Sequence, residues 1–64
     1  MNTTKLKIQR AESALFAYTD ETGGEMNDES LADLLTDLRH WCEQQGIDFN
    51  LANQRAITHY NEER

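Results

Sequence analysis

The sequence predicts an all-α fold, a single small domain (residues 1–64) of three helices whose last two form an αα-hairpin. Three observations lead there. Apolar residues recur with a 3.6-residue period through most of the chain. The breaks between periodic segments carry helix-cap chemistry. The connection Gly46-Ile47-Asp48 is too short for anything but neighbouring helices.

The first element is expected over residues 4–19. Ile8, Ala11, Leu15 and Tyr18 fall at i, i+3, i+7 and i+10, with Ala14 beside them. Leu6-Lys7-Ile8-Gln9 also alternates, so a short opening strand is the competing reading for that stretch. Gly23-Gly24 ends the element, because glycine adopts the left-handed cap conformation without a Cβ penalty.

The second helix, near residues 28–45, carries the clearest signals. Leu31, Leu34, Leu35, Leu38, Trp41 and Cys42 define one face. Asn27 is the expected N-cap, and Asp28 and Glu29 oppose the positive helix end. Met26 and Leu31 can form a hydrophobic staple across that cap. Gly46 stands where a C′ glycine belongs, and Ile47 beyond it can close back on Cys42. If this face is core, Leu35→Ala or Leu38→Ala should cost about 2–5 kcal/mol. Asp48 caps the third helix, near residues 49–62, with Phe49, Ala52, Asn53, Ala56, Ile57 and Tyr60 as its inward stripe.

Composition bounds the function. The chain has 64 residues, 38% apolar and 28% charged, without proline, so collagen-like, Pro-rich and low-complexity classes are excluded. Its longest apolar run, Ala14 to Tyr18, is far below the roughly 20 residues of a bilayer span. The opening segment from Met1 is polar and amphipathic, unlike a secretory leader, and a cytoplasmic location is expected. The lone Cys42 can form no internal disulfide. A chain of this size buries only about 60% of its unfolded surface, so it is marginal alone or stabilised by self-association.

The net charge of −6 is concentrated in the middle. Residues 20–48 hold nine acids against Arg39 alone, whereas residues 1–19 carry +2 and residues 49–64 are neutral. Such a field repels nucleic acid and anionic membrane and attracts basic surfaces. Glu29, Asp33 and Asp37 recur at i, i+4 and i+8, a row of like charges about 6 Å apart. Asp20, Glu21, Glu25 and Asp28 crowd the chain leading into it. These seven carboxylates form the candidate partner-binding surface, an acidic ridge suited to a basic groove built for a phosphate backbone. The plainer reading of the ridge is a solvated helix face.

Catalytic signatures are missing: there is no glycine-rich phosphate loop, G-x-S-x-G, H-E-x-x-H or C-x-x-C. His40 and Cys42 are two residues apart on a helix and cannot face each other. Cys42 lies on the apolar stripe, where it acts as a small hydrophobe. Asp37-x-x-His40 has metal-ligand spacing, and with Asp33 it defines the alternative reading, a metal-dependent or nucleotide-handling helical oligomer. A metal site needs at least three protein ligands, and only His59 or Glu62 on another helix could add to that pair. No cofactor, no metal and no enzymatic activity are therefore expected. Leu6, Phe16 and Leu51 leave the stripes and point to a homodimer or a partner contact.

The segment from Asp33 through Cys42, followed by Gly46-Ile47-Asp48-Phe49 and His59-Tyr60-Asn61-Glu62, resembles one common in short proteins of phages, plasmids and integrated elements. It covers about half the chain, and no function travels with it. In size and acidity the chain is similar to small phage-encoded anti-CRISPR proteins, several of which occupy DNA-binding surfaces of the interference complex. That likeness implies a non-enzymatic inhibitor whose partner is a host protein with a basic nucleic-acid-binding surface. The Leu/Asp-rich helix is also faintly similar to all-α nucleotide pyrophosphohydrolases, whose paired E-x-x-E run this chain lacks.

Overall fold

A computed structural model describes residues 3–64; Met1 and Asn2, where the opening segment begins, lie outside them. The three helices are α1 (Thr3–Thr22), α2 (Asp28–Gln45) and α3 (Phe49–Glu63). All the described residues outside them lie in turns or at the chain end. The alternating stretch Leu6–Gln9 is helical, not a strand.

Local chemistry sets each boundary. α1 runs three residues past the expected Thr19, to Gly23, whose φ of 75° suits only a residue without a side chain. The Gly23 and Gly24 amides both donate to the Thr19 carbonyl, at 2.8 and 3.1 Å. At the start of α2 the Asn27 side chain accepts from the Ser30 amide at 3.0 Å. Its end is a Schellman closure: Gly46 has φ 71°, Ile47 donates to the Cys42 carbonyl at 2.9 Å, and Gly46 donates to Glu43. Asp48 then caps α3 by accepting from the Leu51 amide at 3.0 Å.

The helices are about 30, 27 and 22 Å long, and they do not lie side by side. In an up-down-up bundle the start of α1 would sit a helix length from the end of α3. Here those ends meet. Lys7 pairs with Glu63, and a cleft lined by Thr4, Lys7, Ile8, Tyr60 and Glu63 lies between them. The αα-hairpin of α2 and α3 is accordingly open, and the three helices run as the sides of a flat triangle measuring 33 × 28 × 17 Å. Its radius of gyration is 13.2 Å, against about 11 Å for a close-packed chain of this length.

An open triangle encloses little. Among the described residues only Thr19, Ser30 and Cys42 are buried, while Leu15, Tyr18, Leu34 and Phe49 are half-buried. The leucine face expected as core exists, but it is not enclosed. Leu31, Leu35 and Leu38 remain 46%, 41% and 39% exposed, and Trp41 53%. The cost expected for Leu35→Ala, about 2–5 kcal/mol, presumes a burial that a single chain does not provide. The third stripe fares similarly, with Ile57 and Tyr60 both exposed.

Candidate functional site

The seven candidate carboxylates occupy one corner and one helix. Asp20 and Glu21 stand on the last turn of α1, Glu25 in the connection, Asp28 and Glu29 on the first turn of α2, and Asp33 and Asp37 further along it. All seven are exposed. Their structural roles differ. Asp28 and Glu29 lie at the positive end of α2, where a carboxylate stabilises the helix. Asp20 and Glu21 lie at the negative end of α1, with no basic residue in that turn. A carboxylate there works against the helix macrodipole, by about 0.3–1 kcal/mol.

Asp37 is already engaged. The Tyr18 hydroxyl donates to its Oδ2 at 2.6 Å, joining α1 to the middle of α2. That bond to a carboxylate, then desolvation, then the negative charges of Asp37 and Asp33, push the Tyr18 phenol up to about 12. Asp33 and Asp37 thus border α1, and the freely projecting length of the ridge lies toward Glu29. The signal for this contact was legible: a tyrosine on an inward stripe needs a partner for its hydroxyl.

Arg39 is engaged as well, with residues of α3. Its guanidinium lies 4.3 Å from the centroid of the Phe49 ring, and Nη1 donates to Asn50 Oδ1 at 3.4 Å. Stacking on an aromatic face is the use for which a planar guanidinium is suited. The one cation of residues 20–48 therefore fastens α2 to the start of α3.

Asp37 and His40 share α2, but among the described residues no group of three or more His, Cys, Asp or Glu side chains gathers as a metal site would require. His59, which could have added to that pair, is exposed on α3. Cys42 is 7% exposed, as its place on the apolar stripe predicts. No helix among the described residues is long and apolar enough to cross a membrane. Compared with models of protein families, with curated proteins and with solved structures, the chain matches none.

Proposed function

We propose that this chain is a non-enzymatic interaction protein that sets its acidic ridge against a basic, nucleic-acid-binding surface of a host protein. Its most specific form is an inhibitor of the anti-CRISPR type carried by a mobile element. The observation that supports this reading is the pair Asp20 and Glu21 at the negative end of α1. Helix electrostatics disfavour carboxylates there, and the adjoining corner adds Glu25, Asp28 and Glu29 of the same sign. Like charges collected against their local electrostatic preference suit an external cation. A positive surface supplies it, and the encounter is steered by complementary fields.

The test is capture of partners from bacterial lysate at low and high salt, followed by charge reversal. Binding should weaken steeply with salt, as the Debye length falls from about 10 Å at 0.1 M to about 3 Å at 1 M. Glu25→Lys with Asp33→Lys should abolish capture and keep the helicity, because the Tyr18–Asp37 bond and the carboxylates at the start of α2 are both spared. Glu12→Lys with Glu62→Lys makes the same change in net charge away from the ridge and should do much less. Equal capture by both double variants would reduce the ridge to a solvated face.

A further inference from the structure

We infer that the leucine face of α2 is covered by a second copy of this chain, so that the working unit is a symmetric homodimer. The area says so first. The chain exposes 5614 Å², whereas a folded monomer of 7.4 kDa exposes about 4,200 Å². The surplus, about 1,400 Å² per chain, exceeds the roughly 800 Å² per partner of a standard interface and falls in the obligate-dimer range. One face of a flat triangle, matched to the same face of a copy, disposes of it.

The pattern says so next. Leu31, Leu34, Leu38 and Trp41 fall at i, i+3, i+7 and i+10, with Leu35 beside them, which is the a/d spacing of a helix–helix seam. A straight seam of this kind is self-complementary about a two-fold axis, as an isologous interface requires. Charge permits the pairing despite −6 on each chain. On the helix the seam lies about 120–135° round from Glu29, Asp33 and Asp37. The two ridges therefore stay on the outer faces of the dimer, beyond a Debye length of about 8 Å at physiological salt.

Sedimentation equilibrium and thermal melts of the full chain from about 1 µM to about 200 µM test this, because a dimer gains stability by mass action. The expected result is twice the chain mass, a Tm that rises with concentration, and Trp41 emission that shifts to the red on dilution. Added salt should leave the dimer intact or tighten it, in contrast to contacts made through the acidic ridge. Leu35→Glu should weaken association at least about 30-fold, the loss expected of an interface hot spot. Should that variant unfold, the concentration dependence of the parent's Tm still decides the matter. A single-chain mass at the highest concentration, a Tm independent of concentration, or a mass above two copies overturns the dimer. A single-chain mass would leave the leucine face to a different protein.

Discussion

Tyr18 donates its hydroxyl to Asp37 across nineteen residues of sequence, at 2.6 Å, and so ties the end of α1 to the middle of α2. The bond draws one member of the acidic row into the architecture. It also makes the phenol a reporter of the α1–α2 corner.

Alkaline titration followed by tyrosine absorbance should show a phase near 12 that Tyr18→Phe removes. In Asp37→Asn that phase should fall back toward the ordinary value of 10, because the charged acceptor is its largest cause. The sign of the linkage follows. The folded value lies above the unfolded one, so the bond contributes fully below about pH 10 and is lost as pH rises through about 12. Melts of the parent and Tyr18→Phe between about pH 8 and about pH 12 should therefore converge at the alkaline end.

The caps should account for much of the stability that a chain with so small a core possesses. Asn27→Ala and Asp48→Ala each remove an acceptor from an N-terminal amide and should cost about 1 kcal/mol in denaturant melts. Gly46→Ala forces a Cβ into φ 71° and should cost about 1–2 kcal/mol, although nothing crowds the position. A Gly46→Ala variant as stable as the parent would mean that the α2–α3 turn is not the left-handed closure described.

Arg39 should behave as a fastener of α3 and not as a counter-ion for the ridge. Arg39→Ala loses both the Phe49 face and Asn50, and should lower stability by about 0.5–1 kcal/mol. Arg39→Lys keeps the charge but not the planar stack, and should recover less than half of that loss. If Arg39 instead neutralised the acidic row, lysine would restore it fully. Amide exchange at the start of α3, faster in both variants, would locate the effect.

What the sequence by itself determined is everything closed within a turn of helix. Asn27 meets Ser30, Asp48 meets Leu51, and Ile47 returns to Cys42 over three to five residues, so covalent neighbourhood alone brings the partners together. The acidic row was legible for the same reason, since spacing on a helix fixes which side chains share a face. The tertiary structure decided how far that face is free, by spending Asp37 on Tyr18 and Arg39 on Phe49. It also decided that the start of α1 meets the end of α3, where Lys7 pairs with Glu63, and this triangular arrangement leaves Leu31, Leu35 and Leu38 uncovered by the chain itself. A stripe of leucines states that one side of α2 avoids solvent. Because the hydrophobic effect has no direction, it does not state whether α1, α3 or another molecule covers that side.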